Sequence, residues 1–219
     1  VWHPDAPDAA RAIEIATRCE AAALAFDARI NNSEGASFNS ARSYGIYANS
    51  HGFVGREAGT RYSMSCSVLA GSEDDMQRDY HYDSVRAIGD LQDAAALGRE
   101  AARRTLTRLG ARTLSTRRAP VILAAELARG FFGHLVGAVS GGSLYRKASF
   151  LLDSQGTQLF PRWVQLVEQP HLKRATGSAA FDDEGVATIA QPLIADGVLQ
   201  HYVDRKSTRL NSSHMPVSR

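Results

Sequence analysis

Residues 61–69 read Arg61-Tyr62-Ser63-Met64-Ser65-Cys66-Ser67-Val68-Leu69, and polar and apolar side chains alternate along them. A period of two places the two kinds of side chain on opposite faces, so the pattern predicts a β-strand with one buried and one solvated face. Asn49-Ser50-His51-Gly52 separates two short apolar runs upstream, and glycines recur through this region. These features indicate hairpins of antiparallel strands. A sheet is therefore expected to form the core of the first half of the chain.

Helices are predicted on both sides of this sheet region. Asp5 or Asp8 is placed to cap a first helix, whose apolar residues recur at three- and four-residue spacing: Ala12, Ile13, Ala16, Cys19, Ala23 and Leu24. After a polar turn at 73–79 and an extended segment at 80–84, a second helix is predicted from about Leu91 to Leu109. It is rich in good helix formers, and Gly110 stands where a C-terminal cap belongs.

The second half of the chain also has a strand-rich pattern. Pro120–Ala124 is apolar and predicts a buried strand, which follows a basic connector. Mixed strand-like runs with Gly and Pro breaks then follow at 144–152, 164–167 and 186–203. The predicted fold class is α+β, β-rich, with antiparallel hairpins and flanking helices. We expect two partial domains, residues 1–115 and 119–203.

Composition excludes several classes of protein. Hydrophobic residues make up 44% of the 219, which suits a folded domain with a buried core. Lys plus Arg number 25 against 23 Asp plus Glu, spread along the chain, so no nucleic-acid partner is indicated. The longest apolar runs are too short to cross a membrane, and the two cysteines form no framework. A cytoplasmic protein is expected, starting at Val1 inside a longer protein and ending in a non-native, disordered tail at 204–219.

One long segment carries a family resemblance. Residues 126–143 read ELARGFFGHLVGAVSGGS, and LYRKASFLLD follows at 144–153. This segment resembles the signature of the TldD/PmbA peptidase family, in its zinc-less PmbA (TldE) branch. Further matches occur in the same order at 49–53, 158–161, 171–172 and 181–186. The resemblance thus covers Val1 to Val203, and it places the chain in the middle of the full-length family members.

The resemblance implies a metal site that this chain has lost. In the catalytic sister subunit, TldD, the equivalent helix carries H-E-x-x-x-H. Aligning the shared Val136-Gly137 step puts Gly133 at the first histidine, His134 at the glutamate and Ala138 at the second histidine. Zinc hydrolysis needs about three protein ligands and a nearby carboxylate. We therefore expect no catalytic residue and no cofactor in this chain, and zinc in the TldD partner.

The function implied by the resemblance is that of the zinc-less subunit of a cytoplasmic TldD/PmbA metallopeptidase complex. Such a subunit would be active in proteolysis of small or unfolded peptides only together with a TldD-like partner. Candidate binding residues are the acidic turn Asp182, Asp183, Glu184 and Gly185, together with Arg146. The turn suits a cation or a peptide amine, and the arginine suits a peptide carboxylate. The plainer interpretations are a solvated turn and a solubilising Arg146-Lys147 pair on a strand edge.

Other chemical patterns favour structural roles. His134 beside two phenylalanines has no titrating partner close in sequence and is expected to pack or to be half exposed. His81 and Asp83 share one face of an extended segment, but two ligands make a poor metal site. The glycines at 133, 137, 141 and 142 lack the pattern of a phosphate-binding loop and are expected to serve close helix packing or a tight turn. Cys19 and Cys66 are expected to be small core residues.

Two alternatives to the peptidase subunit stay open. One is a non-catalytic binding or scaffold protein that recruits a peptide or a gyrase-directed client on a retired peptidase fold. The other is a free-standing metallopeptidase, which requires three distant histidines to converge: His51, His81 and His171.

Overall fold

The computed structural model describes residues 2–203, and it confirms the α+β class. Its elements divide into two three-stranded sheets with helices beside them. The chain forms two compact units, each described by itself below. The first comprises residues 2–46, 56–116 and 173–176, and the second comprises residues 47–55, 117–172 and 177–203. The domain boundary expected between 115 and 119 stays a prediction, and the expected tail at 204–219 lies outside the described residues.

The first unit is built on an antiparallel sheet of order β1-β2-β3. Its strands are β1 (Ile30–Ala48), β2 (Val54–Ala70) and β3 (Gln77–Val85), of which residues 47–48 and 54–55 at the hairpin tip belong to the second unit. The strand predicted at 61–69 lies inside β2, and its alternation is confirmed, since Tyr62, Met64, Cys66, Val68 and Ala70 are buried. The serines between them lie on the other face. The alternating pattern therefore identified both the strand and its inward side.

Two helices cover the inward face of this sheet. Helix α1 (Ala9–Leu24) begins where the Asp8 carboxylate accepts a hydrogen bond from the backbone N–H of Arg11. Helix α2 (Ala94–Leu106) is capped in the same way by Asp93, which accepts from the N–H of Ala96. Both were predicted, but α2 is shorter at each end than the expected 91–109. Leu91 caps a 3₁₀ helix at Ile88–Asp90, and Gly110 is the last residue of a turn at 107–110.

Small residues let α1 and α2 approach closely. The inward face of α2 carries Ala94, Gly98, Ala101 and Ala102, and α1 contributes Cys19 and Ala23. These side chains join the inward residues of β2 in one buried cluster, edged by larger side chains such as Ile15 and Phe38. The first unit thus has a complete core of its own.

The second unit has a smaller core. It contains α3 (Ala125–Ala138), α4 (Gly141–Tyr145) and the sheet of β4 (Leu166–Glu168), β5 (Gln191–Ala195) and β6 (Val198–Leu199). Its buried cluster is formed by Val139, Leu151, Val164, Leu193, Ile194 and Leu199. Phe132, Leu135 and Ala138 of α3 pack on this cluster, so one face of α3 is held and the other faces outward.

Two strand predictions in the second half were wrong. Pro120–Ala124 has no strand pairing, and Ile122 is 99% exposed, so the apolar run has no partner strand among the described residues. Residues 144–152 form the end of α4 and turns instead of a strand. Lys147 and Asp153 adopt left-handed backbone conformations there, at φ 53 and 55, which a β-strand does not tolerate.

Candidate functional site

The candidate metal-ligand positions all lie on α3, two of them on its outward side. Gly133 and His134 are exposed, and Ala138 is half-buried against the core of the second unit. Space is open at Gly133, because a Cβ added there would meet nothing within 4 Å. The same holds at Gly130 and Gly137, so the close helix packing expected for the α3 glycines is not observed at these positions.

The donor set of α3 does not fit zinc. Gly133 and Ala138 have no lone pair to offer, and His134 supplies a single imidazole. A second ligand on the same helix face would stand four residues away, at Gly130 or again at Ala138. Over residues 2–203, no group of three or more His, Cys, Asp or Glu side chains lies close enough to hold a metal ion. No hydrolytic step through a metal is therefore derived for this chain.

The acidic turn at 182–185 is a tight hairpin turn. Phe181 and Ala187 form an antiparallel bridge across it, and the N–H of Asp182 donates to the carbonyl of Val186 at 2.8 Å. The Asp182 carboxylate accepts hydrogen bonds from the N–H groups of Glu184 and Val186, both at 2.9 Å. This carboxylate holds the turn together, as aspartates in such turns commonly do. Its ligand capacity is thus largely used internally.

Gly185 in this turn packs against the tip of the β1–β2 hairpin. It has φ 79, and a Cβ added to it would lie 2.5 Å from the Tyr47 ring and 2.8 Å from the Phe53 ring. Phe53 in turn meets Phe181 edge to face, with ring centroids 5.3 Å apart. The hairpin tip has its own turn, in which Asn49 Oδ1 accepts from the N–H groups of His51 and Phe53. Two short turns are therefore held together by three aromatic rings.

Arg146 has a different setting from the strand edge that was expected. It ends α4 and is exposed, and its guanidinium lies near Gly142, 3.5 Å from the place of an added Cβ. Lys147 follows it in a left-handed conformation. The strand-edge prediction for this pair was therefore wrong, because the segment is helical and then turns. Arg146 is a solvated cation at a helix C-terminus, a favourable place for positive charge.

The three histidines of the free-standing metallopeptidase alternative have separate settings. His51 is in the hairpin-tip turn just described. The His171 Nε2 is 3.0 Å from the Thr188 hydroxyl. His81 lies on β3 directly opposite Cys66 of β2. The three histidines therefore lie in three different local settings. Together with the absence of a metal-binding cluster among the described residues, this does not support the free-standing metallopeptidase.

The His81–Asp83 pair also has a structural explanation. Asp83 accepts hydrogen bonds from the N–H groups of Ser84 and Gln92, at 2.8 and 2.9 Å. Neighbouring Asp79 on the same face is paired with the guanidinium groups of Arg104 and Arg108. β3 is an edge strand, and charged residues on the covered side of an edge strand discourage pairing with other chains. The charges on this side of β3 are therefore explained by local hydrogen bonds, ion pairs and protection of the sheet edge.

Sequence reasoning missed two arrangements. The Tyr47, Phe53 and Phe181 cluster joins residues far apart in the chain, and the only local signals were the turn residues Asn49 and Gly185. The second arrangement is the burial of Cys19 of α1 and Cys66 of β2 in one core cluster. Both cysteines were predicted to be buried, but a helix period and a strand period do not say which residues face each other. No described helix is both long and apolar enough to cross a bilayer.

Comparisons with known proteins agree with the resemblance. The family model of the PmbA/TldA metallopeptidase central domain matches residues 2–109, and that of the PmbA/TldA metallopeptidase C-terminal domain matches residues 116–212. The Metalloprotease PmbA of Escherichia coli O157:H7 is 49% identical over 203 residues, 93% of this chain and 45% of that protein. The Metalloprotease PmbA homolog of Haemophilus influenzae is 44% identical over the same shares.

A solved structure gives the same result for the fold. The crystal structure of a putative modulator of DNA gyrase from Bacteroides thetaiotaomicron superimposes with a TM-score of 0.85 at 27% identity. It is matched over 90% of this chain and 45% of that chain. This chain therefore spans a little under half the length of the relatives it matches.

Proposed function

The chain belongs to the PmbA/TldD metallopeptidase family, and we propose that it is part of the zinc-less, PmbA-like subunit of a cytoplasmic TldD/PmbA peptidase complex. In that complex a TldD-like partner holds the zinc ion and cuts small or unfolded peptides. The subunit described here binds the partner and shapes the chamber in which the peptide lies.

The observation that carries this proposal is the chemistry of α3. The family's ligand helix is present and folded, with its inner face on the core of the second unit. Its ligand positions are Gly133 and Ala138, and the position of the catalytic carboxylate is His134. A helix that packs on the core but carries no metal ligands at these positions suits a subunit whose partner performs the hydrolysis.

Peptide contacts are assigned to the charged groups that the fold leaves exposed. Glu184 is exposed at the tip of the acidic turn, and Arg146 is exposed at the end of α4. They offer an anion for a peptide amine and a cation for a peptide carboxylate. Asp182 and Gly185 support this role indirectly, since they set the shape of the turn that presents Asp183 and Glu184.

The experiment uses the full-length protein, purified alone and together with its TldD-like partner. Zinc is measured by atomic absorption, and cleavage is measured on an unstructured fluorogenic peptide with and without a chelator. The lone subunit is expected to carry no stoichiometric zinc and to cut nothing, whereas the complex cuts and loses activity with chelator. Stoichiometric zinc together with chelator-sensitive cleavage by the lone subunit contradicts the proposal.

A binding or scaffold role is the second candidate. It is favoured by exposed apolar side chains at and before α3, among them Ile122 at 99%, Leu127 at 64% and Phe131 at 56% exposure. Exposed apolar patches mark interaction surfaces. The two roles differ in one measurement: a scaffold binds its peptide client without changing the partner's turnover, whereas a chamber-forming subunit raises that turnover. Titrating the subunit into a fixed amount of partner distinguishes them.

A further inference from the structure

Two segments of the first unit that belong to no helix or strand are held in place by side chains of that unit. The first segment, residues 2–4, precedes α1, and the second segment, residues 173–176, comes from a distant part of the sequence yet lies in the first unit. Their hydrogen bonds lead to β2 and to the residue that directly follows β3. The two segments therefore have neighbouring anchors.

The first segment is bound through its backbone. The His3 N–H donates a hydrogen bond to the Thr60 hydroxyl at 3.1 Å, and the Tyr62 hydroxyl donates to the His3 carbonyl at 2.6 Å. Thr60 and Tyr62 lie on β2, and each is only 1% exposed. The Arg42 guanidinium donates to the Pro4 carbonyl at 2.7 Å. Two buried hydroxyls thus bind both backbone groups of His3, so the segment is held by its main chain.

The second segment is held through two arginines. Arg86, the residue after β3, donates from its guanidinium to the Thr176 carbonyl at 2.6 Å. Arg174 pairs with the Asp90 carboxylate at 2.7 Å and has a left-handed backbone conformation, at φ 60. Because that ion pair is exposed to solvent, it contributes little to stability by itself. The hold on this segment therefore depends mainly on Arg86.

Thr60 connects the anchors of the two segments. The pairing of β2 with β3 ends at Tyr62 and Val85, and the carbonyl of Arg86 lies just beyond it. That carbonyl accepts a hydrogen bond from the Thr60 hydroxyl at 2.7 Å. The same hydroxyl oxygen accepts from the His3 N–H, since a hydroxyl can donate one hydrogen bond while it accepts others. One buried hydroxyl therefore supports the first segment directly and the second through the backbone of Arg86.

We propose that the Thr60 hydroxyl is a lock that holds residues 2–4 and residues 173–176 on the first unit, so that loosening one segment loosens the other. Loss of the hydroxyl takes a partner from the His3 N–H and from the Arg86 carbonyl, and buried polar groups that lose a partner are driven toward water. The Arg86 guanidinium belongs to the same residue as that carbonyl, so its bond to the second segment weakens as well. Hydrogen bonds in such a chain reinforce one another. The lock is thus a conformational device that the proposed function does not include.

The test measures the opening of both segments in the folded, full-length protein. Hydrogen exchange at the His3 N–H, followed by mass spectrometry of short peptides, reports opening of the first segment. The rate of trypsin cleavage after Lys173 and Arg174 reports opening of the second, because cleavage follows the population of the opened form. Cleavage after Arg99, inside α2, reports global unfolding and is the control.

Thr60→Val removes the hydroxyl and keeps the shape of the side chain. It is expected to raise exchange at His3 and cleavage after Arg174 by about tenfold each, the effect of one lost buried hydrogen bond. Cleavage after Arg99 is expected to stay unchanged. Thr60→Ser keeps the hydroxyl and is expected to behave like the parent. A change in only one segment, an equal rise at Arg99, or an equal effect of Thr60→Ser would each overturn the proposal.

A second pair of variants tests the lock without touching Thr60, which covers the case that Thr60→Val does not fold. Tyr62→Phe removes the bond to the His3 carbonyl, and Arg86→Met removes the bond to the Thr176 carbonyl. Each is expected to act mainly on its own segment and more weakly on the other. In the double variant, exchange at His3 is expected to differ by more than about twofold from the product of the two single effects, because connected groups are coupled. A simple product would show that the two segments are held independently, and it would contradict the lock.

Discussion

The carbonyl oxygen of Cys19 in α1 lies against the Cα of Gly98 in α2, where even one added carbon has no room. Ala94, Ala101 and Ala102 are also buried on α2. The close approach of α1 to α2 therefore depends on residue 98 having no side chain.

Gly98→Ala is expected to destabilise the first unit by up to about 2 kcal/mol. Alanine is the better helix former by about 1 kcal/mol, but overpacking of a core costs about 1–3 kcal/mol, and here the methyl group meets backbone that cannot rotate away. Urea unfolding of the full-length protein measures the change. The matched control is Gly89→Ala in the same unit, where a Cβ meets nothing within 4 Å. Equal midpoints for the two variants would show that the α1–α2 contact is looser than described.

The parts of the fold that were predictable are those with local causes. The Asp8 cap, the period of α1 and the alternation of residues 61–69 each depend on residues within a few positions of one another, and all three were confirmed. Pro120–Ala124 has the composition of a buried strand, but none of the described strands pairs with it. A β-strand forms only when it pairs with another strand, and the composition of an apolar run does not reveal whether a partner strand is present.

The Asp93 carboxylate makes the stability of the first unit depend on pH. Its pKa is lowered from the ordinary 3.8 because it accepts a hydrogen bond from the backbone N–H of Ala96, and because Arg18 lies beside it at 2.7 Å. A carboxyl whose pKa is lower in the folded state stabilises the fold above its unfolded pKa, and this contribution disappears as the pH falls through the folded pKa.

Asp93→Asn is therefore expected to lower the melting temperature at pH 6, and its difference from the unsubstituted protein is expected to close as the pH falls through the folded pKa of Asp93. Asparagine keeps the helix cap, so this variant isolates the charge. Asp93→Ala also removes the cap and is expected to lose about 5 °C more at pH 6. Melting curves across the pH range make the comparison. A gap between Asp93→Asn and the parent that stays constant down to pH 2 would contradict the assigned pKa direction.

Gly185→Ala is expected to destabilise the second unit by about 2 kcal/mol. A side chain at φ 79 is strained, and its Cβ would press on the Tyr47 and Phe53 rings, so both effects have the same sign. Gly177→Ala is the control, since that glycine belongs to the same unit, has no left-handed φ and leaves space for a Cβ. Thermal unfolding and the near-ultraviolet signal of the aromatic rings report the result. Unchanged ring signals in Gly185→Ala would mean that the turn does not rest on the hairpin tip.

The family resemblance names the candidate site residues, and their arrangement could not be predicted from the sequence. Residues 133, 134 and 138 were identified from the resemblance of segment 126–143 to the family signature. All three lie on one helix, α3. The acidic turn was visible as composition, yet the use of the Asp182 carboxylate by two backbone N–H groups is a property of the folded turn. Arg146 was assigned to a strand because its apolar neighbours suggested one, whereas α4 and the left-handed Lys147 form a turn instead.

His134→Ala is expected to leave peptide cleavage by the proposed complex within about twofold of the parent. Loss of a general acid or base costs about 10²–10⁴ in rate, whereas loss of an exposed side chain with no chemical role costs little. His134 is exposed and has Gly130 and Ala138 as its neighbours one turn away on the helix. The measurement is turnover of an unstructured peptide, with Arg129→Ala as an exposed control on α3 and with zinc content determined for each complex. Recovery of the partner during purification separates assembly from chemistry. A hundredfold loss of turnover in His134→Ala, with assembly and zinc content unchanged, would show that this subunit supplies a catalytic group. Such a result would contradict the assignment of all the chemistry to the partner.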